Sequence, residues 1–575
     1  MSVNNILLVV RRISLALVSL SFSVGAYQIP NGVPDPMKTW LPDNYTGEAV
    51  DPINGIAPKS WEAASQLGLP AYYIDASDPN ATNTNNTFGS PDKPRSTIPE
   101  ITYEAGSYVE IHGGPYNGGG QIIFTANGTP DKPVWFRGSS ELDKAIITGE
   151  TVVKGHYVIM ENLEFIGQKL GFRSKNSSYL HHAVIRNSKF SSDGEVASSS
   201  SSVIGVKGRS DQRFHDIIIY NNEIHSYGKS FIETDPALGA TTENDYHGIK
   251  VTTNVDRAWI LKNNVYNVGG DSIQIGNASV KDADRTKGTY IADNDFYENL
   301  ENGVDVKATD ETLIIGNRIW GFLRHKNNSS TGAAIIIHSK AMNTWVVNNY
   351  IYDSATGVAA TDSSLETWVI GNVIKDIKHP AWQVDWAGGL YEPGSAIHFR
   401  GGSTGGAINN TIINYDKGVE AASGQYIFSN NILFNRNAEL GKDLYVESSQ
   451  SDNTVKNNLV YSDDGFSVQE KNVNCTSCLH PNSGSFELLA DEAISSTSIA
   501  LASGMSIQNY LDKYKDVFGT ELSKDIYDGT RIKGGIDIGA VENQSSEDSS
   551  VVNADITLPI AAEIVNVKSI ETKID

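Results

Sequence analysis

Short runs of alternating apolar and polar residues fill the middle of the chain. "DIIIYNNEI", "AWILKNNVY", "TLIIGNRIW", "TWVVNNYIY", "TWVIGNVIK" and "YIFSNNILF" are rich in β-branched and aromatic residues. They carry no 3.6-residue period, so they predict strands rather than helices. Each run is broken by asparagine, at Asn162, Asn187, Asn222, Asn264, Asn294, Asn317, Asn349, Asn372, Asn410, Asn431 and Asn458, with spacings of 21 to 42 residues. Such a repeat predicts a solenoid, in which each coil buries its apolar face against its neighbours. Asparagine tolerates the left-handed backbone region and suits a tight turn within a coil. Stacked in register, its side chains would form a hydrogen-bonded ladder. The longer intervals place insertions at 230–246, 277–287, 324–332 and 378–394, the kind of loop on which function usually sits.

One strand of each coil can be aligned with the next: "GIKVT" (248–252), "SIQIG" (272–276), "GVDVK" (303–307), "AIIIH" (334–338), "GVAAT" (357–361) and "AIHFR" (396–400). Side chains alternate, so the second and fourth residues point inward and the third and fifth outward. The inward set, Ile249, Val251, Ile273, Ile275, Val304, Val306, Ile335, Ile337, Val358, Ala360, Ile397 and Phe399, is apolar throughout. One outward column reads Lys250, Gln274, Asp305, Ile336, Ala359, His398, and the other Thr252, Gly276, Lys307, His338, Thr361, Arg400. With coils ~4.8 Å apart, the two columns predict one contiguous polar strip.

Charge sharpens the picture. The chain of 575 residues has a formal net charge of −23. That argues against nucleic acid or an anionic membrane as partner. Against this background the strip is a local basic patch, suited to an anionic ligand. Arg11 and Arg12, an apolar run from Ile13 to Val24 and the small residues Gly25-Ala26 read as an export signal at 1–26, giving a secreted or periplasmic protein. No later run is long and apolar enough to span a membrane. The two cysteines, Cys475 and Cys478, read as a local disulfide in an exported chain. Residues 27–105 are assigned to an N-terminal cap and first coil, with a helix at 60–68. Residues 106–485 form the solenoid, 486–542 a closing segment with a helix at 507–520, and 543–575 a tail.

The stretch "GTPDKPVWFRGSSELDKAIITGETVVKGHYVIMENLEF" (128–165) resembles the entry coils of right-handed parallel β-helix proteins, as do "YYIDASDPNATNTNNTFGSPDKP" and "EAGSYVEIHGGPYN" before it. "GGIDIGAVE" (534–542) is similar to the closing segment of secreted bacterial β-helices. Among these proteins the chain is most similar to polysaccharide lyases of the chondroitinase B and alginate lyase type. The resemblance implies an all-β, right-handed parallel β-helix with small caps. It implies a monomer acting on an anionic polysaccharide. "ENGVDVKAT" and "AAIIIHSK" are similar to the family's successive Lys-bearing and Arg-bearing coils, which matches Lys307 to the base lysine and puts His338 at the position of the family's arginine. The family's calcium, which neutralises a substrate carboxylate, would fall to Asp271, Glu301 and Asp305 here.

Uronate elimination needs a base for the proton alpha to a carboxyl group, a cation to neutralise that carboxylate, and an acid for the leaving oxygen. Lys307 is the expected base, its pKa lowered by Lys250, Arg400 or a bound cation. His338 or Arg400 is the expected acid. Lys250, Gln274 and His398 would line the substrate, with Trp382, Trp386 and Tyr391 of the 378–394 insertion as a wall that stacks on sugar rings. A C5-epimerase shares the proton abstraction. A glycoside hydrolase would use two carboxylates, Asp271 with Asp305 or Glu301 with Asp385. A carbohydrate-binding adhesin would need none of this chemistry.

Overall fold

A computed structural model describes residues 26–544, apart from 141–143, 174–178, 193–200, 229–244, 324–329, 331, 380–393, 423–424, 438–440, 448–452, 462–469, 472–474, 482–485 and 533–534. The export signal, Trp382, Trp386, Tyr391, Asp385 and nearly all of the tail lie outside the described residues.

The chain is predominantly all-β, with a repeating parallel strand pattern like that of a β-helix or solenoid. Each coil contributes one strand to each of three ladders. In one coil these are Val304–Lys307, Asp310–Ile315 and Arg318–Trp320. In the next they are Ala333–His338, Met342–Val347 and Tyr350–Ser354. Each pairs in parallel with the equivalent strand one coil on. The inward faces of all three ladders meet in one apolar cluster that runs from Tyr72 to Val460. The inward set read from the sequence is buried to the last residue. Burying each of its isoleucines and valines contributes roughly 1.5–3 kcal/mol.

An asparagine column stands between the second and third ladders. The backbone N–H and the side-chain amide of Asn317 both donate to Asn349 Oδ1, at 3.0 and 2.9 Å. The same double bond links Asn222, Asn263, Asn294, Asn317, Asn349, Asn372, Asn410, Asn431 and Asn458 in succession. The expected ladder exists, with two corrections. It passes through Asn263 rather than Asn264, and Asn162 and Asn187 stand before it. The left-handed turn residue is also the one preceding each ladder asparagine, among them Lys262 (φ 54°), Asp293 (φ 56°) and Asn348 (φ 52°).

The outer face of the third ladder carries an aromatic stack. Tyr266, Tyr297, Trp320 and Tyr352 lie ring on ring, with interplanar angles of 4°, 8° and 6°. The outer face of the second ladder is apolar and is covered from both ends of the sequence. Trp259, Tyr290, Trp345 and Trp368 pack against Val33, Trp40 and Ile53 and against Tyr514 and Phe518 of the helix Gln508–Phe518. Trp259 Nε1 donates to the Pro34 carbonyl (2.8 Å) and the Tyr514 hydroxyl to that of Gly32 (2.7 Å). The helix expected at 60–68 spans Trp61–Gln66 and lies by the first coil. The segment before it does more than cover that coil, because it runs along the side of the solenoid as an arm. Cys475 and Cys478 are joined as a disulfide. No helix among the described residues is long and apolar enough to cross a membrane.

Candidate active site

The first ladder holds the strip in the expected register. Lys250 is opposite Gln274, Gln274 opposite Asp305, and Asp305 opposite Ile336. Ala359 is opposite His398. In the second column, Gly276 is opposite Lys307 and Lys307 opposite His338. Gly276 has a positive φ of 82°, and a Cβ there would fall 1.8 Å from the Lys307 carbonyl oxygen. Only glycine lets the two backbones approach this closely.

Asp305 organises the centre. Its Oδ2 lies 2.6 Å from Lys307 Nζ, and its Oδ1 lies 2.8 Å from His338 Nε2. The Asp305 side chain is buried, while Lys307 and His338 remain partly open to solvent. Burial alone would raise the Asp305 pKa. The His338 hydrogen bond and the Lys307 charge overcome this and hold it down to about 2. Lys307 shows the opposite balance. Burial works against its charge, yet Asp305, Asp271 and Glu301 outweigh it and raise the pKa above the ordinary lysine range. The expected lowering of Lys307 is therefore reversed, because a carboxylate and not a cation is its nearest charged neighbour. Lys250 is the lysine whose pKa falls, through burial and then the Lys307 charge. On the far side of His338, Nδ1 lies 3.2 Å from Ser339 Oγ and 3.7 Å from Asp362 Oδ2.

The strip is also less uniform than two columns on paper. Ile336 and Ala359 form a small apolar patch with Ala333, and it separates Asp305 from His398. Beyond it, Arg400 Nε donates to His398 Nε2 at 2.9 Å. Arg400 follows the strand two coils past that of His338, which places it ~9.6 Å further along the stack. Acidic groups accompany Lys250, Lys307 and His338, so this part of the patch is a set of compensated charges rather than an excess of cations.

The residues expected to hold calcium do not fit it. Asp271 is fully buried rather than in an exposed turn, and its Oδ1 accepts from the backbone N–H and side-chain amide of Asn302, at 3.1 and 2.9 Å. Its Oδ2 lies 3.0 Å from His247 Nδ1 and 3.4 Å from Gln274 Nε2. Both Asp305 oxygens are taken by Lys307 and His338. Calcium needs six to eight oxygen ligands, and these carboxylates are committed to N–H donors. Glu301 instead groups with Asp245 and His247, whose ligand atoms lie within 4.8 Å of one another, a set that does not single out calcium. His247 was missed in the sequence. It has the inward parity of Ile249 and Val251, and a histidine on that face of a strand was the available signal.

No family model matches the chain, and no curated protein does. Several solved structures share a weak likeness. A family 6 alginate lyase in complex with a trisaccharide is 12% identical, with 66% of this chain and 85% of that one covered and a TM-score of 0.44. A mannuronic acid specific polysaccharide family 6 lyase from human gut microbiota is 12% identical, with 66% and 78% covered and a TM-score of 0.38. A lacto-N-biosidase from Eubacterium ramulus is 13% identical, with 73% and 69% covered and a TM-score of 0.35. Likenesses this weak decide neither the reaction nor the substrate.

Proposed function

We propose that the protein is an exported polysaccharide lyase, built as a right-handed parallel β-helix, that cleaves a uronate-containing chain by β-elimination. The observation that carries this reading is a pair of unlike lysines on one strip. Lys307 is kept charged by Asp305, and Lys250 is biased toward its neutral form by burial and by Lys307. A base and a cation on one strip, two coils apart and close enough for the charge of one to lower the pKa of the other, suit proton abstraction alpha to a carboxylate.

In this scheme Lys250 takes the proton from the carbon alpha to the substrate carboxylate. This revises the role first given to Lys307, which now neutralises that carboxylate as charge develops on it. The new carbon–carbon double bond forms as the glycosidic C–O bond breaks. His338, oriented by Asp305, donates a proton to the leaving oxygen. Arg400 and His398 lie further along the stack and bind the next part of an anionic chain. Hydrolysis by two carboxylates is less well supported, since Asp271 is fully buried and Asp305 is engaged on both oxygens.

The test is ultraviolet absorbance of a new unsaturated uronate during incubation with alginate, pectate, chondroitin or dermatan. Reducing ends released without that absorbance would refute elimination in favour of hydrolysis.

A further inference from the structure

The first ladder continues past Lys250 toward the N-terminal coils, and its register extends both outward columns. Gly171 is opposite Gly205, and Gly205 is opposite Lys250. Arg173 is opposite Lys207. Val206 is in register with Val251, Val251 with Ile275 and Ile275 with Val306. The residue after each of these falls in one line, so Arg173, Lys207, Thr252, Gly276 and Lys307 share a column. Phe172, Val206 and Val306 are buried, which fixes Arg173, Lys207 and Lys307 on the outer face.

Arg173 and Lys207 are exposed. Lys207 has no ion-pair partner among the described residues. Glu150 lies 3.2 Å from Arg173 Nη1 and 3.6 Å from Lys169 Nζ, so one carboxylate serves two cations and the group keeps a net positive charge. Beside these cations the other column is bare. A Cβ on Gly205 would meet only the Ser202 hydroxyl, at 3.0 Å, and one on Gly171 would first meet the Arg173 side chain, at 2.7 Å. The backbone therefore does not demand glycine here as it does at Gly276. From Gly171 to Gln274 in one column and from Arg173 to Lys307 in the other, no position is acidic, in a chain of net charge −23. On the far side of the site, by contrast, the strip is interrupted by the Ile336 and Ala359 patch.

We propose that Arg173 and Lys207 bind the anionic groups of an extended polysaccharide several sugars away from the bond that is cut. At ~4.8 Å per coil, Lys207 stands ~14 Å and Arg173 ~19 Å from Lys307. That is too far for either to join the proton transfer, and is about the reach of three or four sugar residues of an extended chain. The cations are continuous with Lys250 and Lys307 through Thr252 and Gly276, which are neither charged nor bulky. The enzyme would therefore favour long anionic chains over short ones. This rests on the lyase reading only in calling the ligand the substrate, since binding itself needs no turnover.

The test is electrophoresis of the full chain through native gels containing alginate, pectate, chondroitin or dermatan. At least one polymer should retard the wild type, and added salt should relieve the retardation. Against that polymer Lys207→Ala and Arg173→Ala should each weaken retention by ~2–5-fold, and the double variant by ~5–20-fold. Lys287→Ala removes a half-exposed lysine of the second ladder and should be retained like the wild type. In turnover the double variant should raise KM for the polymer at unchanged kcat, and should keep the wild-type KM for a trisaccharide too short to reach Lys207. Weakened retention of the double variant, with no unsaturated product from the wild type, would refute elimination and still support these two residues as a binding site. No retardation of the wild type by any of the four polymers, wild-type retention of the double variant, or an equal loss in Lys287→Ala would each overturn the assignment.

Discussion

Lys250 is held below the ordinary lysine range by burial and by the ammonium of Lys307 on the neighbouring outward column. Lys307 can do this because its own charge is fixed by Asp305. A base working at neutral pH must spend time unprotonated, and a permanent positive neighbour is one way to arrange that. Lys250→Ala should therefore abolish formation of the unsaturated product, while Lys307→Met should leave a slow reaction. In the Lys307→Met enzyme the Lys250 pKa rises, so the acid limb of the kcat/KM profile should move to higher pH. An unmoved limb would remove Lys250 as the base.

Asp305 links the site to stability. Its pKa falls from 3.8 in the unfolded chain to about 2 in the folded one. A depressed carboxylate contributes stability that is present above the unfolded value and lost as pH falls through the folded one. Denaturation between pH 4 and pH 2 should therefore be less pH-dependent for Asp305→Asn than for the wild type. At neutral pH the same variant should lose activity, because His338 and Lys307 lose their common partner.

The asparagine column should be sensitive to single substitutions. Asn317→Ala removes donors to the Ile291 and Ile315 carbonyls and to Asn349, and leaves the backbone N–H of Asn294 without its acceptor. Each buried group left unsatisfied costs about 1–3 kcal/mol. Chemical denaturation should show a loss of about 2–5 kcal/mol, with the site residues untouched.

Without its arm, the second ladder would lose the cover over Trp259 and Tyr157. A chain lacking residues 27–57 should bind a hydrophobic dye and self-associate, which dye fluorescence and sedimentation would detect.

Much of this architecture was legible in the sequence, and for a definite reason. A strand alternates with period two, so the aliphatic inward set fixed the register, and the register fixed which polar residues share a strip. Lys250, Asp305, Lys307 and His338 were found this way. Side-chain partnership was not legible. Asp305 bonds a histidine 33 residues away, and sequence spacing does not say that it captures Lys307 first. The consequence was an inverted expectation for the lysine pKa. The choice of Asn263 over Asn264 also turns on one residue of turn geometry, which two adjacent asparagines conceal. The arm was missed because its contacts with Trp259 and Tyr514 span hundreds of residues and follow no repeat.

The bond between Tyr514 and Gly32 changes how this solenoid should come apart. A simple stack of coils is nearly one-dimensional, and its terminal coils can fray one at a time while the rest stays folded. Here a segment near residue 32 and a helix near residue 514 meet on the flank of the same coils. Neither end can peel away without breaking a contact that belongs to the other. The clasp converts a graded, end-first unravelling into a single cooperative event.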